Sequence, residues 1–235
     1  MSTFDLNNCK YNFASDKVDI IVLVYDKSGS MQQFVSAMKE ANVAFYNDFT
    51  RFEEKGSIAI ARADFDNGFS MTSFSDIENF STNYYASGGT ELYQAIEYAA
   101  ENTIAYFKEI LKRLNIRPKI TFLVFSDGED NGYHSSLYAQ DYIKELNNME
   151  ATTVYVAFGS AIEAKTGEKL GFSCTKDITT VGELISTMGT QLSKSCKEQS
   201  RSLYSLKSAF FSKAAENAED DVRDDISDED FFFNV

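Results

Sequence analysis

The chain has 235 residues, of which 43% are hydrophobic, and a formal net charge of −14 at pH 7. A chain of this length can bury a full core, most simply as one domain with additional segments. The negative charge argues against a protein that binds nucleic acid directly, because such proteins need surfaces rich in Lys and Arg to neutralise phosphates.

The cysteines and the N-terminal sequence favour a cytoplasmic protein. The three cysteines are far apart and include no CxxC pair, so neither a zinc knuckle nor a disulfide framework is predicted. The stretch MSTFDLNNCKYNF has neither the basic start nor the apolar run of a signal peptide. Apolar runs stay shorter than the roughly 18 to 20 residues of a membrane span, so we expect no membrane contact.

The first part of the chain predicts a strand, a helix and a hairpin. Val18 to Tyr25 form an apolar run interrupted only by Asp19, typical of a strand buried on both faces. Residues 57–65 predict a second strand, and the turn signal Asn67-Gly68 predicts that FSMTSFS (69–75) pairs with it antiparallel. Between the first and second strands, an apolar stripe predicts a helix that ends near Gly56. The stripe consists of Phe34, Met38, Ala41, Phe45, Phe49 and Phe52.

The remaining part continues to alternate helices and strands. SGGTEL (87–92) opens a long helix whose apolar stripe runs to Leu114. Strands are predicted at 119–126 and 152–159, with an edge strand at 172–175. Helices are predicted at 135–148, at 160–171 (a short one) and at 181–197. This alternation predicts an α/β fold with a mostly parallel sheet, covered on both faces, and one antiparallel edge strand.

Oxygen-bearing side chains follow two of the buried strands, in DKSGS (26–30) and SDGEDN (126–131). Ligands of parallel sheets bind outside the carboxyl ends of the strands, and short right-handed connections bring such loops to one edge. We therefore expect two carboxylates and three hydroxyls to converge without any His or thiolate. Such a set suits Mg²⁺, or Mn²⁺ or Ca²⁺, and comprises Asp26, Ser28, Ser30, Thr90 and Asp127.

Two alternatives remain open for these five residues. Asp and Ser after a strand often cap the next helix by accepting its free backbone N–H groups. A chain can also retain the fold and bind no metal.

The order and spacing of DKSGS, GGT and SDG resemble the von Willebrand factor A (VWA) domain family. GGTELYQAIEYA and ITFLVFSDGEDN are similar to the family's helix opening and fourth strand, and the resemblance covers residues 16 to 197. It implies a Rossmann-like, three-layer α/β/α fold with an intact metal-ion-dependent adhesion site. In that site Ser28, Ser30 and Thr90 would coordinate the ion, and Asp26 and Asp127 would contact it directly or through water. An acidic side chain of a protein partner would complete the coordination.

Enzyme interpretations are weaker. A phosphotransferase of the haloacid dehalogenase type needs a second Asp two residues after Asp26, and Ser28 stands there. A GxxxxGK[ST] phosphate loop is missing from the sequence. His134, the single histidine, lies in a polar stretch and is more typical of an exposed loop residue that could contact a partner. Lys27 is a second candidate for partner contact, and it would favour an acidic partner.

The composition divides the chain into a short extension (1–15), the VWA-like domain (16–197), a weakly amphipathic segment (198–215) and an acidic segment (216–235). Residues 216–230 hold nine acids against Arg223 and are followed by Phe231, Phe232 and Phe233. So dense a charge predicts disorder in the free chain. The acids could steer this segment to a second protein, whose pocket the phenylalanines would fill. It could also act only as a solubilising segment, or fold back on the metal site of its own domain.

We therefore expect a metal-dependent adaptor or assembly module and not an enzyme. Two other functions stay open at this point. One is a metal-dependent phosphoryl-transfer or nuclease-like enzyme that uses the same carboxylates. The other is a recruitment protein whose acidic segment is the active part and whose domain is a scaffold.

Overall fold

The computed structural model describes residues 17–51, 57–128, 130–159 and 161–191. The segments predicted as 1–15, 198–215 and 216–235 lie outside these residues. Within the described ranges, none of the helices combines the length and the apolar character that crossing a bilayer requires.

Strands and helices alternate along the described chain. The strands are β1 (Asp19–Asp26), β2 (Ile58–Phe65), β3 (Phe69–Met71), β4 (Lys119–Ser126), β5 (Thr152–Phe158) and β6 (Cys174–Ile178). The helices are α1 (Val35–Thr50), α2 (Leu92–Leu114), α3 (Ser136–Asn148), α4 (Ala161–Leu170) and α5 (Val181–Ile185). Turns of 3₁₀ type cover Gly29–Phe34 and Ile77–Asn79, and a π-helical stretch covers Ser186–Gln191.

The strands form one sheet in the order β3-β2-β1-β4-β5-β6. All neighbours are parallel except β2 and β3, which pair antiparallel at one edge. The α/β class, the mostly parallel sheet and the antiparallel edge strand predicted from the sequence are thereby confirmed.

The buried strands separate two hydrophobic cores. Ile20, Val22 and Val24 face one core, which contains the apolar side chains of α2 and α3. Ile21, Leu23 and Tyr25 face the other core, which contains those of α1. Since alternate residues of β1 are buried on opposite faces, the strand needs an apolar side chain at nearly every position.

The predicted third strand is shorter than its sequence suggested. Pairing stops at Met71, because the side-chain hydroxyl of Thr72 accepts the Arg62 N–H that a ladder carbonyl would otherwise take. One isolated bridge, between Ile60 and Ser75, continues the pairing. From there to α2 the chain is irregular apart from the turn at Ile77–Asn79.

Two predicted boundaries also move. The first helix starts as the 3₁₀ turn and becomes α-helical only at Val35. The edge strand begins at Cys174 instead of 172, because the Ser173 hydroxyl donates to the Thr153 carbonyl and its backbone N–H donates to the Thr153 hydroxyl.

The sheet order reverses between β1 and β4. The chain proceeds from β1 to β2 and β3 on one side, then returns to place β4 on the other side of β1. The crevice outside the carboxyl ends of two such strands is the usual ligand position in open α/β sheets.

Candidate metal centre

Asp26 ends β1 and is fully buried. Its Oδ1 accepts the Ser28 N–H at 2.8 Å, and its Oδ2 accepts the Ser126 hydroxyl at 2.6 Å. The Tyr84 hydroxyl donates to its backbone carbonyl. Burial raises the pKa of Asp26 to about 6, although the bonds from Ser126 and Ser28 lower it, and the nearby charge of Asp127 raises it further. The side chain is thus fixed in position but is costly to ionise without a cation.

The two serines of the first loop bring their hydroxyls together. Ser28 Oγ lies 3.0 Å from Ser30 Oγ; Ser28 is buried and Ser30 is exposed. Ser28 is the N-cap residue of the 3₁₀ turn, but its side chain makes no capping hydrogen bond. The helix-capping alternative therefore does not account for Ser28.

Asp127 follows β4 and differs from Asp26. Its Oδ1 is shielded from solvent and has no hydrogen-bond partner within the described part of the chain. Buried carboxylate oxygens without partners are rare, because each one loses its hydration without compensation. A shielded carboxylate oxygen with no hydrogen-bond partner is well suited to bind a cation.

Thr90 is buried and follows two glycines in the loop before α2. Gly88 has a φ of +91°, and a Cβ there would lie 2.8 Å from the Asn67 side-chain nitrogen. The Asn67 side-chain oxygen in turn accepts the Gly89 N–H at 2.7 Å. Only glycine satisfies both the left-handed backbone and the close approach at position 88.

Hydrogen bonds join the three loops in pairs. Gly29 donates to the Gly88 carbonyl at 3.0 Å, which links the first loop to the Thr90 loop. The Asn131 N–H donates to the Thr90 carbonyl at 2.9 Å, which links the Thr90 loop to the loop after β4. The bond from Ser126 to Asp26 joins the ends of β4 and β1, from which the loop after β4 and the first loop start. The five predicted ligands therefore lie on three mutually attached loops at one edge of the sheet.

Arg62 holds the irregular segment that leads to Thr90. It is buried in β2, and one terminal nitrogen donates to the Ser81 and Asn83 carbonyls at 2.8 and 2.6 Å. Its other nitrogens form a two-point ion pair with Asp64, at 2.7 and 3.1 Å. Such a planar, bidentate contact is one that Arg provides and Lys does not.

The sequence analysis missed these supporting residues. Ser126 was visible in the SDG motif, where its place beside the aspartate could have suggested a hydrogen bond. Asn67 was interpreted only as a turn residue. The ion pair of Arg62 with Asp64 is local, but the carbonyls that Arg62 binds lie about 20 positions away, and the partner of Tyr84 lies 58 positions away, so neither supporting role was predictable.

The candidate partner-contact residues lie in contrasting places. Lys27 is buried, with its ammonium 3.5 Å from an Asp64 oxygen and 3.3 Å from the centre of the Tyr85 ring. A role in partner binding needs Lys27 to leave these contacts. His134 is exposed and lines a cleft beside Thr90 with Glu91, Gln94, Asp130, Gly132 and Tyr133. Phe231, Phe232 and Phe233 lie outside the described residues.

The described residues contain no group of three or more His, Cys, Asp or Glu side chains arranged to hold a metal ion. The candidate centre therefore depends on two carboxylates supplemented by hydroxyls. This donor set consists only of hard oxygens, which favours Mg²⁺, Mn²⁺ or Ca²⁺ over zinc or copper.

No protein-family model and no curated protein sequence matches the chain. Among solved structures, the pilus adhesin SpaC of Lactobacillus rhamnosus GG matches with a TM-score of 0.59 and 12% identity, over 76% of this chain and 30% of the adhesin. The proximal thread matrix protein 1 of the mussel byssus matches with a TM-score of 0.53 and 14% identity, over 77% of this chain and 46% of that protein. The manganese-loaded TRAP protein of Plasmodium vivax has a TM-score of 0.51 and 12% identity, with 73% and 72% covered.

This chain thus spans less than half the length of the adhesin and of the byssus protein. At such low identities the likeness concerns the fold alone. Together with the sheet order, it shows an α/β fold with a mostly parallel sheet.

Proposed function

We propose that this chain is a protein-binding module that acts through a bound divalent cation. Asp26, Ser28, Ser30, Thr90 and Asp127 would hold the ion, and an acidic side chain of a partner would complete its coordination. The observation that carries the proposal is the shielded Oδ1 of Asp127, which has no hydrogen-bond partner within the described residues.

The charges of the site fit this role. Two carboxylates balance a dication, so the bound ion keeps its attraction for one more anionic ligand. The attached loops hold the donors in place before the ion binds, which lowers the entropic cost of binding. Folds of the VWA type commonly mediate protein interactions, and the TRAP structure contains manganese, which agrees with Mg²⁺ or Mn²⁺ here.

The proposal includes no catalysis. Asp26 is engaged by Ser28 and Ser126, and the position of a general acid two residues after it holds Ser28. His134 is exposed in the loop after β4. The cytoplasmic location stays a prediction from the sequence.

The cation site is tested first by calorimetric titration of the full chain with Mg²⁺ and Mn²⁺. We expect saturable binding by the wild type and by the control Asp76→Ala, which removes an exposed carboxylate just before the turn at Ile77–Asn79. Thr90→Ala should bind more weakly. If the wild type takes up no ion while its fold is intact, the domain is a VWA-like scaffold without a metal site.

The partner is tested by affinity capture on the full chain, in Mg²⁺ and again in EDTA. We expect a protein that is retained only with Mg²⁺, and that is lost with Thr90→Ala bait even when Mg²⁺ is present. Retention that is indifferent to both changes would contradict the metal-bridged contact. It would favour recruitment through another surface.

A further inference from the structure

Three large apolar side chains stand exposed beside the candidate metal centre. Tyr133 is fully exposed, and Leu137 and Tyr138 are 64% and 59% exposed. They lie within six consecutive residues, in the loop after β4 and the first turn of α3. Exposed apolar groups clustered in this way mark interaction surfaces more often than single exposed residues do. We call these three residues the aromatic rim.

The aromatic rim is close to Thr90. The Asn131 N–H is bonded to the Thr90 carbonyl, and Tyr133 follows two residues later. Two residues of chain span at most about 7 Å, so the Tyr133 backbone lies near the predicted ion. A ligand that reaches both the ion and the aromatic rim needs a carboxylate and an apolar side chain a short distance apart.

The acidic segment of this chain has that composition. Asp228, Glu229 and Asp230 directly precede Phe231, Phe232 and Phe233. In an extended chain, three residues span about 10 Å, which suits a carboxylate on the ion and a phenylalanine on the aromatic rim.

The segment can also reach the site. Twenty-four residues separate Gln191, the last described residue, from Glu216. They would span about 36 Å as a helix and about 80 Å when extended. A compact domain of this size has a radius of gyration of about 16 Å, so either length suffices. Tethering at this range gives effective concentrations of the order of millimolar, and even a weak contact would be populated.

Charge makes the contact conditional on the ion. Asp64, Asp66, Glu91 and Asp130 surround the site, and the Lys27 and Arg62 cations are paired with Asp64. This edge repels an acidic segment in the absence of metal. A bound dication weakens that repulsion and offers a direct ligand position to one carboxylate of the segment.

We propose that residues 228–233 occupy the metal edge of their own domain, with an acid on the bound cation and phenylalanine on the aromatic rim. The segment thereby acts as an internal competitor that a partner must displace. This inference rests on the cation site of the proposed function.

The test compares Mg²⁺ with paramagnetic Mn²⁺ in nuclear magnetic resonance spectra of the dilute, isotope-labelled full chain. Mn²⁺ broadens signals of nuclei near it. We expect broadening of the backbone signals of residues 228–233 as well as those beside Thr90. Asp127→Ala should abolish both effects.

A matched pair of double variants tests the aromatic rim. Tyr133→Ser with Leu137→Ser should reduce the broadening of 228–233 several-fold and leave that beside Thr90 unchanged. Leu111→Ser with Leu114→Ser removes two exposed leucines from the far end of α2, and it should change neither.

Four outcomes would overturn the inference. If only signals beside Thr90 broaden, the cation site stands and the docking is wrong. If 228–233 broaden equally in Asp127→Ala, the acids bind Mn²⁺ themselves. Broadening that grows with protein concentration assigns the site to a second copy of the chain. If no domain signal broadens, the cation site itself fails.

Discussion

Asp26 and Asp127 lie at the carboxyl ends of neighbouring parallel strands, yet their surroundings differ. Both carboxylate oxygens of Asp26 accept hydrogen bonds, whereas Oδ1 of Asp127 is shielded and accepts none from the described residues. Asp26 thus belongs to the scaffold as well as to the site. The shielded Asp127 oxygen contributes no hydrogen bond to the described part of the fold, so it is available to a ligand. Asp26 is the last residue of β1, whereas Asp127 lies one residue beyond the end of β4. The two aspartates therefore contribute differently to stability and to binding.

The largest expected effect comes from Asp127→Ala, which removes the carboxylate that contributes least to the fold. We expect at least a hundredfold loss of Mg²⁺ affinity, because loss of a ligand exceeds the tenfold to hundredfold cost of losing a supporting residue. The melting temperature without metal should stay equal or rise, because an uncompensated buried oxygen disappears. Calorimetric titration and thermal unfolding measure the two effects. A fall in metal-free stability would mean that Asp127 has a structural role.

Asp26→Asn tests the other side of the comparison. In the folded, metal-free chain burial raises the pKa of Asp26 to about 6, above its ordinary value, so the fold loses stability as pH rises from about 4 to 6. The neutral amide should therefore stabilise the metal-free fold at pH 7.5, by an amount on the order of 2 kcal/mol, and abolish Mg²⁺ binding. Chemical denaturation gives the stability difference.

Asp26→Ala is the contrasting variant at the same position. It leaves the Ser28 N–H and the Ser126 hydroxyl without their acceptor, so it should destabilise the fold. If the Asn and Ala variants have equal stability, the hydrogen bonds to Asp26 do not matter to the fold.

Ser126→Ala should have a smaller effect, since Ser126 orients Asp26 without being a predicted ligand. Supporting residues of this kind typically change metal affinity tenfold to hundredfold. Ser173→Ala is a matched control, because that hydroxyl is bonded to Thr153 between β5 and β6. The control should lose some stability and keep the Mg²⁺ affinity of the wild type. Equal affinity of both variants would remove Ser126 from the site.

The pH dependence should be the smallest effect. Since the pKa of Asp26 is near 6, an ion must displace its proton below that pH. We expect the Mg²⁺ affinity to be nearly constant above pH 7 and to fall about tenfold per pH unit below about 5.5. Titrations between pH 5 and 8 measure this. A flat profile would show that Asp26 does not take part in binding.

The sequence predicted much of the fold because the strands are buried on both faces. The runs Val18 to Tyr25 and 120–126 are buried as predicted. The apolar stripe specified the buried face of α2 from Leu92 to Ile110, whereas Leu111 and Leu114 at its end are exposed. The stretch between β3 and α2 was not predictable in the same way. Its path depends on Asn42 of α1 and Arg62 of β2, whose side chains donate to the backbone carbonyls of residues 81–83.

The candidate site shows the same division. The residues of the DKSGS, GGT and SDG motifs were identifiable, because side-chain chemistry at strand ends is legible in a single sequence. The tertiary structure alone decided which oxygens are already satisfied. Ser28 and Ser126 each donate to one oxygen of Asp26, Tyr84 fixes its backbone, and Asp127 keeps an oxygen for a ligand.

The sequence by itself thus determined which segments form strands and which form helices, which of their residues are buried, and which side chains could hold a cation. These properties follow from local pattern and side-chain chemistry. The tertiary structure decided the length of β3, the route to Thr90 and the difference between the two aspartates. Those features depend on hydrogen bonds between residues 10 to 100 positions apart, which leave no trace in local pattern.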